Sequence, residues 1–348
     1  MLQVTANASQ GTLGSRARKL VPSPVRRVAA RFVSERRAAA IQRELAALAA
    51  RDEPIMVGPW LGEVGFELLY WVPFLRWFTY EYGVPPDRII AVARGGSANA
   101  WYASFAGRTY DALSFIPPQD FKRRNLDRSG SLGEQKQIAS TALDEEIIGF
   151  VRKSEGHDVA VLHPSTMYRL YGPYWWGHQP VGWVRSFMRF ERLQSPPLAV
   201  DLPSEYTAVK FYFNDCFADT PRNRVFVEHT VRGLAADGPV ISLSTGLAVD
   251  DHDPCEPDIA AMQGIRHLLT PDTNLLVQSA IVAGARRFVG TYGGFAYLAP
   301  LCGVPASSYY SEPGSFSLRH LDLIRDVLRT ENSPGLLEVT DVGRGSGR

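Results

Sequence analysis

The 348-residue sequence has only three cysteines, Cys216, Cys255 and Cys302. They are widely spaced, odd in number and never arranged as C-x-x-C, so neither a disulfide framework nor a cysteine zinc site is expected. No stretch approaches the roughly 20 apolar residues that a membrane span needs, and the first residues lack the apolar core of a signal peptide. The formal net charge is only +1, which argues against a surface built for bulk binding to nucleic acid. G-x-S-x-G, Walker A and H-E-x-x-H are all missing, so those hydrolase and NTPase readings find no motif. The expectation is a soluble, cytoplasmic protein. Its 45% hydrophobic content allows a substantial core, and its length favours two domains.

Charge is unevenly spread. Residues 1–51 carry ten Lys or Arg against Glu35 and Glu44, a local balance of +8. Residues 1–15 are small and polar and read as disordered, whereas Pro24 to Ala50 is rich in Ala, Arg and Leu and reads as a helix. Val28, Phe32, Ile41, Leu45 and Leu48 give that helix an irregular apolar face. It either packs on the body with a solvated outer side or rests on anionic lipid at the inner face of the membrane.

The body alternates strands and helices. Pro54–Pro59, Arg88–Arg94, Ala112–Ile116 and Asp158–His163 read as strands, with helices over Val64–Tyr82 and Asp144–Lys153. Residues 118–140 read as a mobile loop or irregular helix. After the proline-rich segment Ser195 to Pro203 the alternation restarts. Its strands are Tyr206–Phe213, Pro239–Ser244, Phe288–Gly290 and Ala306–Tyr310. Its helices are Arg222–Ala236, Pro271–Ala285, Phe295–Leu301 and Ser317–Leu328. The predicted class is α/β, with two Rossmann-like domains and a cleft between them. The divisions are 1–51 for the disordered start and basic helix, 52–200 and 201–330 for the two domains, and 331–348 for a tail. Ligands of such sheets bind beyond the carboxyl ends of the strands.

Two of those strand ends stand out. After the first strand, Gly58-Pro59-Trp60-Leu61-Gly62-Glu63-Val64-Gly65-Phe66-Glu67 puts Glu63 in a glycine-flanked turn at a helix start. A carboxylate there is either a helix-terminal acid or a general base for a hydroxyl. Glu67, one turn on, is placed to orient a substrate or Glu63. Late in the chain, Phe288-Val289-Gly290-Thr291-Tyr292-Gly293-Gly294-Phe295 runs from a strand through a glycine pair into a helix. The turn is either a phosphate cradle or an ordinary βα connection.

These two motifs resemble the GT-B glycosyltransferases, with the ADP-heptose transferase type as the nearest pattern. Those enzymes carry an L-G-D turn after the first strand, its Asp acting as base toward the acceptor hydroxyl. They also carry a small-residue G-x-x-H-L-A-A-x-x-G-V-P segment under the donor diphosphate. The resemblance implies that Glu63 is the base and that Thr291, Tyr292, Gly293 and Gly294 form the diphosphate turn. Here Glu replaces Asp, Tyr297 stands where that family often has His, and Pro73 comes about one turn late. The resemblance also implies that Lys210, within the apolar strand Tyr206–Phe213, neutralises the donor phosphates without a metal. The plain alternative for Lys210 is an exposed edge lysine.

Further candidates follow other strands. Asn214 lies in the loop after Lys210. Asp250-Asp251-His252-Asp253 contains a D-x-D, which in GT-A glycosyltransferases holds a metal and the donor diphosphate. Pro254 and Pro257 favour an ordinary loop, so a divalent ion at Asp251 and Asp253 is not expected; Asp251 is instead a contact for nucleotide base or ribose. Glu312 could accept ribose hydroxyls. On the acceptor side stand Arg94 of Arg94-Gly95-Gly96, His163, and Tyr168 at the head of the aromatic block Tyr168–Phe190. That block either packs on carbohydrate or forms an interdomain core.

The expected function is metal-independent transfer of a sugar from a nucleotide-sugar donor to a glycan or glycolipid acceptor, in cell-surface polysaccharide synthesis. No cofactor and no nucleic-acid partner are expected. The alternatives are a nucleotide-sugar epimerase of the same fold and a non-enzymatic assembly protein at the membrane surface.

Overall fold

The computed structural model describes residues 23–132, 136–194, 202–247 and 253–343. Helix α1 (Ser23–Ala49) precedes β1 (Ile55–Val57), and α2 (Val64–Phe66) passes through a π-helical turn at Glu67–Trp71 into α3 (Val72–Glu81). Then come β2 (Ile89–Ala93), α4 (Ser97–Trp101), β3 (Arg108–Asp111), α5 (Pro118–Leu132), α6 (Ala142–Glu155) and β4 (Ala160–Leu162). Helices α7 (Pro164–Trp175) and α8 (Val181–Arg185) complete the first half.

The second half comprises β5 (Thr207–Lys210), β6 (Tyr212–Phe213), α9 (Pro221–Asp237), β7 (Val240–Ser242), β8 (Asp253–Pro254) and β9 (Met262–Gly264). It continues with α10 (Asn274–Gly284), β10 (Arg287–Thr291), α11 (Gly294–Leu301), β11 (Ala306–Tyr310), α12 (Leu318–Thr330) and β12 (Leu337–Asp341).

Two parallel sheets result. The first has the order β3-β2-β1-β4 and the second β12-β11-β10-β5-β7-β9, while β6 and β8 form a small antiparallel pair. This is an α/β fold of two Rossmann-like halves. Strands β1 and β2 are fully buried runs of Ile, Met, Val and Ala, as expected of parallel strands covered on both faces.

Several expectations need correction. The third strand is Arg108–Asp111, while Ala112–Ser114 is a 3-10 turn. An edge strand with half-exposed polar residues leaves little apolar signal. Residues 118–132 form α5, anchored by the fully buried Phe121. The expected tail instead contributes β12, which pairs in parallel with β11 at the sheet edge. The apolar face of α1 also differs. Ser34, Ala38, Ile41 and Leu45 are its buried side, at the spacing of one helical stripe, whereas Phe32 is 61% exposed. Residues 1–15 and 344–348 lie outside the described residues. Among the described residues no helix is long and apolar enough to cross a membrane.

The helix after Glu63 carries most of the aromatic core. Trp71, Phe74, Trp77 and Phe78 are buried. Pro73 has no N–H to offer the Leu69 carbonyl, and the turn just before it is π rather than α.

The halves meet through glycines. A Cβ on Gly294 would lie 2.8 Å from Val64 Cγ1 and 2.9 Å from Gly65 N. One on Gly96 would lie 2.8 Å from Leu276 Cβ, and one on Gly95 2.7 Å from Asn274 Nδ2. Leu275 N also donates to Gly95 O at 2.6 Å.

Candidate functional site

A cavity of about 430 Å³ opens between the two sheets. The first half contributes the turn Leu61–Phe66, Tyr70, Arg94 and, from α5, Lys122, Asn125 and Arg128. The second half contributes Lys210, Tyr212, Asn214, Gln278, Tyr292–Phe295, Tyr297, Phe316 and His320.

The turn that presents Glu63 is held at nearly every backbone group. Gly58 N donates to Leu162 O at 3.0 Å and Trp60 N to Val92 O at 2.8 Å. Leu61 N donates to Gln137 Oε1 at 2.8 Å, and Gln137 Nε2 donates to Pro59 O at 2.9 Å. Arg94 Nη2 donates to Gly62 O at 2.9 Å and Asn125 Nδ2 to Leu61 O at 3.3 Å. Gln137, fully buried, reaches Asp144 Oδ1 at 3.0 Å as well. Glu63 itself is exposed and is the N-terminal flanking residue of α2, with no side-chain capping bond.

The glycine turn faces it from the other sheet. Helix α11 starts at Gly294, whose backbone abuts the start of α2 at Val64 and Gly65. Two helix N-termini therefore converge on one end of the cavity, each carrying partial positive charge and unpaired N–H groups. Lys210, at the carboxyl end of β5, donates to Gln278 Oε1 at 2.5 Å and lies 4.0 Å above the Phe295 ring. A Cβ on Gly293 would run into the Tyr212 hydroxyl, so that glycine makes room for a side chain of its own half.

Not every expected residue reaches the cavity. Glu67 is fully buried; its Oε1 accepts from Ser97 Oγ and Tyr102 OH, both at 2.7 Å. Burial pushes its carboxyl up to about 8, against the lowering effect of those two bonds and of Arg94. It holds α4 rather than a ligand. Thr291 is likewise fully buried, its hydroxyl accepting from Tyr212 N and donating to Tyr212 O.

Asn214 lines the cavity, but its Oδ1 accepts from Cys216 N and Phe217 N and shapes the loop. Glu312 is exposed in the turn after β11, off the cavity wall, which that turn reaches through Ser315 and Phe316. His163 flanks the start of α7, accepting from Ser165 N with Nδ1 and lying 3.4 Å from Asp144 Oδ1 through Nε2. Burial pushes Asp144 up, but the bonds from His163 and Thr141 outweigh it and hold the carboxyl below its usual range. Tyr168 is 7% exposed, stacked 6.3 Å from Trp60 behind the cavity.

Asp251 lies outside the described residues, and Asp253 belongs to the short strand β8. Among the described residues no group of three His, Cys, Asp or Glu side chains could hold a metal ion.

Sequence reasoning missed Tyr70, Tyr212, Gln278, Arg128 and His320 as cavity residues. Tyr70, Gln278 and His320 lie inside helices whose apolar periodicity hides them, and Arg128 lies in a segment read as a mobile loop or irregular helix. His320 carries no local signal; only the packing of α12 against the first half brings it to the cavity.

No protein-family model matches the sequence, and no curated protein matches it. Among solved structures, similarity is found to the dodecameric iron-containing heptosyltransferase TibC from enterotoxigenic E. coli, one structure of which holds ADP-D-beta-D-heptose. The identity to that complex is 12% and the TM-score 0.38, over 75% of this chain and 59% of TibC. The chain thus spans less than two thirds of TibC's length. E. coli ADP-heptose LPS heptosyltransferase II is similar at 10% identity and TM-score 0.42, over 83% of this chain and 89% of that one. The UDP-GlcNAc 2-epimerase of Methanocaldococcus jannaschii is similar at 10% identity and TM-score 0.35, over 83% and 88%.

Proposed function

We propose that the chain is a glycosyltransferase that moves a sugar from a nucleoside-diphosphate donor to a hydroxyl of a glycan or glycolipid acceptor without a metal. One observation carries this reading. An exposed carboxylate, Glu63, and a cationic glycine turn with Lys210 line the same cavity from opposite halves of the chain.

The chemistry follows from that pairing. Glu63 takes the proton of the acceptor hydroxyl as its oxygen attacks the anomeric carbon. The bond from that carbon to the diphosphate oxygen breaks, and the electron pair leaves with the nucleoside diphosphate. Lys210 and the N–H groups at the start of α11 take up the growing negative charge. A single displacement of this kind inverts the anomeric centre.

The test screens nucleotide sugars for thermal stabilisation, because a ligand of the native state raises the melting temperature. The stabilising donor is then offered with candidate acceptors to the wild type and to Glu63→Gln. The variant is expected to keep donor binding and to lose roughly 10²–10⁴-fold in transfer. Near-normal turnover would remove Glu63 from the mechanism. Conversion of the donor with no acceptor present would identify an epimerase instead.

A further inference from the structure

One wall of the cavity has a different chemistry from the cations of β2, α5 and β5. Phe66 and Tyr70, one helical turn apart after Glu63, meet His320 in the first turn of α12, and Phe316 just before that helix lines the same cavity. The His320 ring stands edge-on to Phe66 at 4.9 Å and to Tyr70 at 5.5 Å. Tyr70 OH lies 2.6 Å from His320 Nδ1. Phe316 packs on Tyr292 at 4.8 Å, which joins this wall to the glycine turn.

The hydrogen bond fixes the orientation of the ring and leaves Nε2 as its second polar atom. Burial raises Tyr70 well above the ordinary phenol range, so it stays a hydroxyl, which donates to Nδ1 or accepts from it according to the tautomer. Burial, with Lys136 nearby, pushes His320 down to about 4, so the ring is neutral at pH 7. Nε2 then donates to a ligand hydroxyl or accepts from it, according to the tautomer. The wall thus offers aromatic rings beside one neutral imidazole nitrogen of fixed orientation, with Lys136 Nζ 5.6 Å over the Phe66 ring. Apolar rings next to a few placed polar groups suit a ligand with C–H faces and hydroxyl groups, which describes a pyranose.

We propose that Phe66, Tyr70, Phe316 and His320 form a subsite for an uncharged sugar ring, with His320 Nε2 as hydrogen-bond partner of a sugar hydroxyl and Tyr70 as its positioning residue. The subsite rests on the transferase reading for its neighbour, the diphosphate turn. The ring it holds is either the donor's or the acceptor's.

The experiment titrates UDP, ADP and GDP and their glucose conjugates, by calorimetry, into the wild type, His320→Ala, Phe66→Leu and Tyr70→Phe. For a donor ring, His320→Ala keeps its affinity for the bare nucleoside diphosphate within about twofold and binds the conjugate about 5–10-fold more weakly, the value of one hydrogen bond. For an acceptor ring, both donor affinities stay unchanged while the acceptor KM rises by a similar factor at near-constant kcat. Tyr70→Phe follows His320→Ala in part, because it frees the orientation of the ring. Lower melting temperatures in all three variants, with neither parameter moved, would make the wall structural and overturn the proposal.

A wild type that binds none of the six nucleotides overturns the transferase reading instead. The subsite is then judged by saturation-transfer NMR to the methyl glycosides of glucose, galactose and mannose. Transfer that His320→Ala and Phe66→Leu abolish supports it, and no transfer to the wild type overturns it.

Discussion

Replacing Gly294 by alanine adds one methyl group where the two halves touch. The new Cβ would sit 2.8 Å from Val64 Cγ1, 2.9 Å from Gly65 N and 3.0 Å from Val64 Cβ. Apolar carbons prefer about 3.5–4.0 Å, so the deficit at Val64 is on the order of 0.5–1 Å. Rotating Val64 moves Cγ1 but neither its own Cβ nor the backbone nitrogen, and a β-branched side chain in a helix has little χ1 freedom. Relief must come from separating α11 from the start of α2. Overpacking of this kind costs about 1–3 kcal/mol.

Because the strain acts between the halves, it also displaces Glu63 from the glycine turn. A misplacement of about 1 Å can cost roughly 10²-fold in rate. The assay pairs thermal unfolding with transfer rate, and Gly149→Ala is the control, since a Cβ there meets nothing within 4 Å. That control lies inside α6 and is expected to be neutral or to stabilise by up to about 1 kcal/mol. In the double variant Val64→Ala/Gly294→Ala, partial recovery is expected, since one of the three close atoms is gone. If Gly294→Ala melts and turns over like Gly149→Ala, the close approach of the two helix starts is not what holds the site together.

Lys210→Ala should weaken nucleoside-diphosphate binding roughly 10–100-fold, the worth of one hydrogen bond to a charged group. An unchanged titration would leave Lys210 a structural partner of Gln278 on a central strand. Glu67, pushed up to about 8, binds its proton more tightly folded than unfolded. Its effect on stability is therefore most favourable below about pH 4.5 and is lost as pH rises toward 8, on the order of a few kcal/mol. Urea melts of wild type and Glu67→Gln across pH 5–8.5 should show a falling slope that the variant lacks; parallel slopes would refute it. Gln137→Ala strips partners from Leu61 N and Pro59 O, at about 1–3 kcal/mol for each buried group left unpaired. It should lower both the melting temperature and the transfer rate, and a loss of stability with full activity would mean that the Glu63 turn holds its shape without it.

The sheets were legible because parallel strands covered on both faces are short apolar runs between turn residues. Ile55–Val57 and Ile89–Ala93 show this plainly. Edge strands escape the same reading: Arg108–Asp111 is polar and half exposed, and Leu337–Asp341 buries little beyond Leu337. In the site, Glu63, Lys210, Gly293 and Gly294 were visible because chemistry and turn residues coincide at strand ends. Glu67, Thr291 and His163 carry similar chemistry one step away. Each is consumed by a partner distant in sequence, namely Tyr102, Tyr212 and Asp144. Local spacing cannot reveal that such a partner exists.

The two glycine pairs show most clearly why a strand–glycine–helix motif is ambiguous. Gly95-Gly96 and Gly293-Gly294 both follow strands, and both lie where a side chain would strike another part of the chain. Gly95 and Gly96 have φ of +67° and +77° and press on Asn274 and Leu276 of the other half, so conformation and contact together account for them. Gly294 presses on α2 alone, which brings the positive end of α11 against the positive end of α2. Like partial charges brought this close are unfavourable unless an anion shares the space. Glu63 supplies one carboxylate at that point, and a donor diphosphate would supply the second, on the side where Lys210 stands. The close packing that explains the glycine thus creates the electrostatic demand that a phosphate would meet, so the structural and functional readings of Gly294 describe the same contact.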